Sequence, residues 1–185
     1  MRKKRFPADD PDRRSRQDPE KLLKSVGLST GMTFVDAGCG EGFFSLPAAR
    51  IVGPEGTVYA FDINTEAVGK LRHNAAAEGL ANIAAEVRPA EEAVTCTACA
   101  DLVFFGIDLH DFANPAQAIQ NAKKMLRPGG RLIDLDWKDI RMDFGPPFEK
   151  RFPVNKARGL IESAGFTILS VEDAGPYHYL IVAGT

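Results

Sequence analysis

The stretch that decides the fold is residues 33–44, Thr-Phe-Val-Asp-Ala-Gly-Cys-Gly-Glu-Gly-Phe-Phe. Apolar residues lead into Asp36, and Gly38, Gly40 and Gly42 then alternate before an apolar segment. This order predicts a buried strand, a tight turn and the N-terminus of a helix. Glycine adopts backbone dihedrals that other residues avoid, and it leaves room for a ligand beside the main chain. The stretch therefore predicts a ligand site, with Asp36 as a fixed acceptor for a cationic group.

Strands and helices alternate on both sides of this stretch. Helical periodicity or capping signals predict helices after Asp18 and within residues 43–51, 65–78, 114–126 and 155–164. Strands are predicted at residues 32–37, 57–62, 82–87, 100–107, 131–137, 166–171 and 177–183. The alternation through position 137 implies right-handed crossovers and a parallel sheet of the α/β class, closed by the last two strands.

Composition limits the function classes. The chain has 185 residues and a net charge of −2, so no overall positive field favours nucleic acid, and we expect none to bind. Residues 1–16 hold seven Lys or Arg and three Asp. We predict a flexible basic leader at residues 1–18 and a single domain at 19–185, with an RNA-seeking tail as the alternative for the leader. No apolar run approaches the 18 or more residues of a transmembrane helix, and no apolar signal-peptide core follows the basic start, so we expect no membrane span and a cytoplasmic protein.

The three cysteines, Cys39, Cys96 and Cys99, are too few and too clustered for a disulfide framework. The segment Cys96-Thr-Ala-Cys99 has the spacing of a redox or zinc motif. A tetrahedral zinc site needs a second Cys or His pair, and the sequence offers none beside it. We therefore expect no metal at this motif, and its function stays open.

Acidic residues follow three of the predicted strands. Asp36 lies at the end of the first strand, Asp62 ends the second, and the fourth runs into Asp-Leu-His-Asp at residues 108–111. In an open parallel sheet, ligands bind beyond the carboxyl ends of the strands, near the point where strand order reverses. Asp62 lies 20 residues beyond Gly42, a spacing at which an acid accepts the ribose hydroxyls of an adenosine cofactor. The pattern predicts a cofactor of that kind.

Two cofactor classes share this layout, and the glycine spacing separates them. A dinucleotide site reads G-x-G-x-x-G, whereas this chain reads G-x-G-x-G with an acid before it. With that spacing, residues 35–42 resemble the first motif of the class I S-adenosylmethionine-dependent methyltransferases. The similarity continues in order through residues 59–62, 101–104, Leu109-His110 and 126–130, and it covers about residues 20–185.

Within that family the chain is most similar to small stand-alone members related to the ubiquinone and menaquinone biosynthesis (type 11) methyltransferases. The similar residues are Trp137-Lys138, Gly145-Pro146-Pro147 and Arg151. The resemblance implies a Rossmann-like three-layer sandwich whose seven-stranded sheet is mostly parallel, with an antiparallel C-terminal strand. It also implies S-adenosyl-L-methionine as the cofactor.

The resemblance assigns binding roles residue by residue. It implies that Asp36 and the backbone of Gly38 and Gly40 hold the methionyl amino and carboxylate groups, that Asp62 takes the ribose hydroxyls, and that Ile63 packs on the adenine. The other cofactor-binding residues that it implies are Cys39, Gly42, Ala90, Phe105 and Gly106. One position departs from the family: members often place an acid after the third strand, where this chain has Pro89-Ala90. Glu91 or Glu92 is the candidate substitute.

The candidate catalytic residues are His110, Asp111 and Asp108. Methyl transfer from a sulfonium needs positioning and, for some nucleophiles, a base, and neutral imidazole is present at cellular pH. Asp111 or Asp108 would orient His110 or bind a cationic substrate, whereas the plainer alternatives are a helix cap for Asp111 and a packed structural histidine for His110. Candidate substrate residues are Phe43, Phe112, Trp137 and Arg151, with core packing or a surface ion pair as their plainer alternatives.

Three further alternatives stay open at this point. A divalent ion held by Asp108, Asp111 and Asp136 is disfavoured, so no metal is expected. A nucleotide-dependent oxidoreductase is disfavoured by the glycine spacing, and a cofactor-binding partner subunit without activity is disfavoured by the polar residues 108–111. Residues 138–153 contain four prolines and no clear periodicity, which predicts a long loop and a candidate lid. The expected substrate is a small molecule, and a homodimer is one option for the oligomeric state.

Overall fold

The computed structural model describes Arg13 and residues 17–185. Within these residues the helices are α1 (Pro19–Ser25), α2 (Ser45–Val52), α3 (Thr65–Ala77), α4 (Pro115–Met125) and α5 (Val154–Ser163). The strands are β1 (Thr33–Ala37), β2 (Thr57–Asp62), β3 (Ile83–Val87), β4 (Ala100–Gly106), β5 (Leu126–Trp137), β6 (Thr167–Ala174) and β7 (His178–Gly184). Short 3-10 turns lie at Leu109–Asp111 and Phe148–Lys150.

All seven strands form one sheet in the order β3-β2-β1-β4-β5-β7-β6. The first five strands along this order pair in parallel, and β7 pairs antiparallel to both β5 and β6. Strand order reverses between β1 and β4, which places the loops after both strands at one edge of the sheet. The predicted mostly parallel, seven-stranded sheet with an antiparallel C-terminal strand is confirmed.

Two apolar layers cover the faces of the sheet. Helices α1, α2 and α3 pack on one face through residues such as Leu23, Val52 and Leu71. Helices α4 and α5 pack on the other face through residues such as Ile119 and Ile161. Strands β1 and β4 are buried along nearly their whole length because both layers cover them. The result is a three-layer sandwich with rigid central strands.

Side-chain caps fix the starts of three helices. Asp18 accepts a hydrogen bond from Lys21 N at 3.0 Å, Asn64 accepts from Glu66 N, and Asn114 accepts from Gln117 N. Such caps satisfy backbone donors that have no partner within the helix. The caps at positions 64 and 114 follow the carboxyl ends of β2 and β4, so they also fix the loops at the edge where a ligand is expected.

Several element boundaries differ from the sequence-based prediction, and for two of them the structure shows the reason. Helix α2 begins at Ser45 rather than Phe43, because Gly42 has a φ of 97° and ends the glycine turn outside helical dihedrals. Strand β5 begins at Leu126 rather than Arg131. Leu126 pairs with Ala100 and Arg131 pairs with Leu102, so the intervening segment bulges out of an unbroken strand.

Most of the predicted leader, residues 1–18, lies outside the described residues. No described helix has both the length and the apolar character that crossing a membrane requires.

Candidate active site

The glycine turn after β1 is held by the chain's own hydrogen bonds. The N–H groups of Gly38 and Cys39 both donate to Phe61 O, and Gly42 N donates to Cys39 O. Gly40 N donates to the carboxylate of Asp62 at 2.9 Å. These four N–H groups therefore already have acceptors within the protein. A ligand at the turn would meet carbonyl oxygens and open space. A Cβ placed on Gly40 would meet no atom of the described residues within 4 Å.

Three carboxylates surround this turn. Asp36 is buried and accepts a hydrogen bond from the Ser45 hydroxyl at 2.5 Å. Burial, with a smaller contribution from the charge of Asp62, raises the pKa of Asp36 to about 7 despite that hydrogen bond. Burial and the charges of Asp62 and Asp36 hold the pKa of Asp108 well above its usual value. The cluster therefore favours a cation that relieves this repulsion.

The chain itself brings a cation to the cluster. The guanidinium carbon of Arg13 lies 3.9 Å from the centroid of the Phe43 ring. Its charge lowers the pKa of both Asp36 and Asp108, opposing the effects of burial. A positive group is thus already favourable at this place in the protein, which agrees with the chemistry of three clustered acids.

Asp62 combines a structural role with spare acceptor capacity. One oxygen accepts from Gly40 N and the other accepts from Asn64 N at 2.8 Å. A carboxylate has about four lone-pair sites, so each oxygen retains room for another hydrogen. Ile63, the next residue, exposes 67% of its surface. An exposed apolar side chain beside a bonded carboxylate suits the flat face of a base next to a sugar.

The loop after β3 contributes another part of the candidate site. Ala90 is buried, and its carbonyl oxygen accepts from Asn121 Nδ2 at 3.2 Å. Glu91, the candidate substitute for a family acid, already accepts a hydrogen bond from Asn114 N through Oε1. The loop is thus attached to helix α4 at two points, which fixes Ala90 near the carboxyl end of the sheet.

The turn after β4 contains a strained residue. Ile107 has a φ of 73°, which β-branched residues strongly disfavour. Its N–H donates to Leu135 O at 2.7 Å, so the neighbouring strand holds it there. This turn places Asp108 directly against Gly38, where an added Cβ would lie 2.6 Å from the Asp108 Cγ. Strain of this kind persists where surrounding contacts fix it, often at functional sites.

His110 and Asp136 form a buried pair. The imidazole Nδ1 lies 2.7 Å from an Asp136 oxygen, and the His110 side chain is only 2% exposed. Asp136 also accepts hydrogen bonds from the backbone N–H groups of His110 and Trp137. Burial lowers the pKa of His110, but the hydrogen bond and charge of Asp136 and the charge of Asp111 outweigh it, so the pKa is raised overall. The pair fixes a tautomer with Nε2 directed away from Asp136.

A second carboxylate covers that free nitrogen. Asp111 Oδ2 lies 3.7 Å from His110 Nε2. The other oxygen of Asp111 lies 3.4 Å from Lys150 Nζ, in the long loop after β5. Asp111 is 57% exposed, so the pair of Asp111 and Lys150 is a movable cover rather than a fixed wall. A helix-capping role was the alternative for Asp111, but Asn114 is the residue that caps α4.

Arg151 organises the loop that covers this side of the site. Its guanidinium donates to the carbonyl oxygens of Pro146, Phe144 and Ile140. It is 95% buried and lies over the Trp137 ring, 5.5 Å from the centroid. Trp137 in turn stacks on His178 with ring centroids 4.2 Å apart. Both candidate substrate residues are therefore engaged in holding the loop.

The two phenylalanine candidates differ in exposure and in the ring that each contacts. Phe43 is 5% exposed and packs edge-on against Phe44. Phe112 is half-buried and packs edge-on against Phe105, with centroids 5.5 Å apart. Gly106 fits between Phe104 and Phe44, since an added Cβ would lie 2.7 Å from Phe104. Phe112 is thus the more accessible of the two.

A further buried acid lies on the same strand as Asp136. Asp134 is fully buried two residues before Asp136, and neither of its oxygens has a hydrogen-bond partner among the described residues. Burial and the charge of Asp136 hold its pKa well above the usual value. Burial and the charge of Asp134 also raise the pKa of Tyr179. Asp134 therefore favours its neutral form more strongly than an exposed aspartate does.

Sequence reasoning missed the partners of the site residues. Ser45, Asp136 as the partner of His110, and Lys150 were absent from the predicted site. The signal for Asp136 was its place at the end of β5, beside β4 in the sheet. Within the described residues, no group of three or more His, Cys, Asp or Glu side chains is arranged to hold a metal ion.

Comparisons with known proteins agree with this geometry. A family profile described as a methyltransferase domain matches residues 28–163. The crystal structure of an S-adenosylmethionine-dependent methyltransferase from Aquifex aeolicus is 30% identical and superposes with a TM-score of 0.90, covering 97% of this chain and 98% of that one.

Two curated relatives match this chain over only part of their own length. A nocamycin O-methyltransferase of Saccharothrix syringae is 33% identical over 113 residues, which is 60% of this chain and 40% of that protein. A ubiquinone/menaquinone biosynthesis C-methyltransferase of Cellvibrio japonicus is 29% identical over 116 residues, which is 62% of this chain and 47% of that protein. The chain therefore spans less than half the length of either relative.

Proposed function

Since the chain belongs to the S-adenosylmethionine-dependent methyltransferases, as its motifs predicted, we propose that it transfers a methyl group from S-adenosylmethionine to a small-molecule acceptor. One observation carries this proposal: three carboxylates surround a glycine turn with open space over Gly40. The names of the relatives, an O-methyltransferase and a C-methyltransferase, support a small acceptor and leave its reacting atom open.

The residues present fit the cofactor of the family. S-adenosylmethionine carries an ammonium and a sulfonium, and the cluster of Asp36, Asp62 and Asp108 favours positive charge. Gly40 leaves the space that any larger residue would fill. We propose that Asp36 and the carbonyl oxygens of the glycine turn hold the amino group, since the N–H groups of Gly38 and Gly40 are already used.

The remaining contacts follow the edge of the sheet. Asp62 has spare acceptor sites for the two ribose hydroxyls, and the exposed Ile63 packs on the adenine. On the far side of the adenine lies Ala90, held by helix α4. Phe105 and Gly106 form the wall at the methionine end, while Cys39 and Gly42 support the turn through their shared hydrogen bond.

The cofactor, when bound, would supply an activated methyl group, whose carbon the acceptor attacks while the neutral thioether sulfur leaves. The chain's own part is to orient the acceptor and to take its proton. We propose that His110 accepts that proton at Nε2, while Asp136 holds Nδ1–H and stabilises the imidazolium that forms. We propose that Asp108, whose side chain lies against Gly38, contacts the acceptor rather than serving as its base.

Access to His110 requires a local opening. Asp111 and Lys150 cover Nε2, so we propose that an acceptor displaces this ion pair and that the loop of residues 138–153 moves with Lys150. Phe112, which is half-buried, offers apolar surface for the acceptor, whereas Phe43 is almost fully buried. For Trp137 and Arg151 we propose the task of holding the loop, because their polar groups and rings already have partners.

A binding and turnover experiment tests the function. We expect S-adenosylmethionine and S-adenosylhomocysteine to raise the melting temperature of the purified protein and NAD to leave it unchanged. A screen of small-molecule pools for S-adenosylhomocysteine release then identifies the acceptor class. Stabilisation by NAD alone would favour an oxidoreductase. Binding without release in any pool, including lysate fractions, would favour a partner subunit without activity.

The role of Asp136 is tested by the titration of His110. The chain has three histidines, so the NMR signals of His73, His110 and His178 are assignable by single His→Gln substitutions. We expect the pKa of His110 to fall in Asp136→Asn, because the carboxylate charge that raises it is removed. With an acceptor in hand, His110→Gln is expected to slow turnover by about 100-fold or more, a typical size for a lost general base.

Two controls belong to that measurement. Asp173→Asn removes a carboxylate that is 79% exposed on β6, and the His110 signal should be unchanged. A packed structural histidine would titrate in the same way as the proposed base, so the turnover of His110→Gln decides between them. Unchanged turnover would rule out the base role. The predicted cytoplasmic location and the homodimer option stay predictions.

A further inference from the structure

Cys96 and Cys99 are joined by a disulfide in the loop between β3 and β4. The third cysteine, Cys39, is free and buried in the cofactor turn. Cys96 and Cys99 are both half-buried, and the two residues between them are exposed. The ring that this bond closes is therefore partly exposed to solvent.

The disulfide is expected to add little to the stability of the fold. A disulfide stabilises most when it closes a long loop, and this one closes a ring with only two residues between its cysteines. It also lies within one loop, so it joins no two helices or strands covalently. A function other than stability is needed to explain the pair.

The ring holds one end of helix α4. Ala98 N donates to Lys124 O at 3.0 Å, and Cys99 N donates to Met125 O at 2.9 Å. These carbonyl groups belong to the last turn of the helix, where the chain must supply partners from outside. Ala98 has a φ of 49°, unusual for a residue with a side chain. The ring and these two hydrogen bonds keep it in that conformation.

The same helix holds the cofactor end of the same loop. Asn121 Nδ2 donates to Ala90 O and to Glu91 O, at 3.2 and 2.7 Å. Asn121 is buried, and its side-chain oxygen accepts from Gln117. Residues 88–99 are therefore attached to α4 at both ends, and the attachment at Ala98 and Cys99 bears on the position of Ala90.

We propose that Cys96 and Cys99 form a reversible thiol–disulfide site whose reduction by a dithiol weakens cofactor binding. This rests on the proposed placement of the adenine beside Ala90. A thiolate of the reductant attacks one sulfur of the pair and breaks the S–S bond. The second thiol of the reductant then closes its own disulfide, so two electrons and two protons end on Cys96 and Cys99. Opening the ring frees Ala98 to leave its left-handed conformation and its contact with α4.

The test compares S-adenosylhomocysteine binding to oxidised and reduced protein. The probe reductant is dithiothreitol, and the thiol count is read by mass after alkylation. We expect the reduced protein to bind about fivefold more weakly or worse, the low end of coupling between two sites. The double variant Cys96→Ser/Cys99→Ser should bind as weakly as the reduced protein and should not respond to dithiothreitol.

A second measurement does not depend on the ligand. Hydrogen exchange of residues 88–99 is expected to speed up on reduction, first at Ala98 and Cys99. Equal affinities within twofold, equal exchange, or a pair that stays reduced under a mild oxidant would each overturn the proposal. If neither form binds S-adenosylhomocysteine, the proposed function fails, and the exchange data alone decide the redox site.

Discussion

Asp62→Ala is expected to weaken the binding of S-adenosylhomocysteine by about 100-fold or more. Hydrogen bonds to a charged group contribute about 1.5–3 kcal/mol each, and Asp62 is proposed to accept two from the ribose. The same substitution removes the acceptor of Gly40 N and Asn64 N. The glycine turn therefore loses one of its anchors as well, and the two effects add in a simple titration.

A ligand lacking one hydroxyl separates the two effects. In the unaltered protein, the 2′-deoxyribose analogue of S-adenosylhomocysteine should bind about tenfold more weakly or worse than the parent compound. In Asp62→Ala this difference should vanish, since its acceptor is absent. A difference that persists in the variant would mean that Asp62 acts only by supporting the turn. Asp173→Ala, an exposed carboxylate on β6, should bind both ligands normally.

The fold was predictable because the separate signals in the sequence all indicate the same architecture. The glycine turn, the capping residues Asp18 and Asn114, and the alternation of strands with helices all indicate the same parallel sheet. The boundary of β5 was not predictable in this way. Pro128 and Gly129 indicate a turn, and the bulge that lets the strand continue through them depends on pairing with β4.

The chemistry of the site was only partly predictable, for a different reason. Asp62 and Gly40 are 22 residues apart, but both belong to the β1-α2-β2 unit, whose glycine turn and following acid have a recognisable spacing. His110 and Asp136 are 26 residues apart, and they meet only because β4 and β5 are neighbours and Ile107 adopts a strained turn. The role of Arg151 likewise depends on three backbone carbonyl groups, and a sequence pattern does not specify backbone acceptors.

Alanine at two of the three glycines of the turn should give different results. Both Gly38 and Gly40 have positive φ, at 85° and 52°. An added Cβ on Gly38 would lie 2.6 Å from Asp108 Cγ, in a turn that Ile107 holds rigidly, whereas on Gly40 it would meet nothing within 4 Å among the described residues. Gly38→Ala is therefore expected to cost about 2–4 kcal/mol of stability, from overpacking and from the left-handed backbone together.

For a protein of this size, that loss corresponds to a melting temperature lower by about 5–15 °C. Gly40→Ala should cost only about 1 kcal/mol, yet bind S-adenosylhomocysteine at least about tenfold more weakly, because its methyl group enters the space proposed for the cofactor. Gly31→Ala is the matched control, with a φ of 80° and open space before β1. It should share the small stability loss and keep full affinity.

Thermal unfolding without ligand, followed by calorimetric titration with S-adenosylhomocysteine, measures both quantities on all three variants. Normal affinity in Gly40→Ala would place the cofactor elsewhere, even if the family membership stands. Equal stability of Gly38→Ala and Gly31→Ala would show that Asp108 moves freely away from the turn. In that case Asp108 would not be fixed beside the glycine turn. Its proposed contact with the acceptor would then be ruled out.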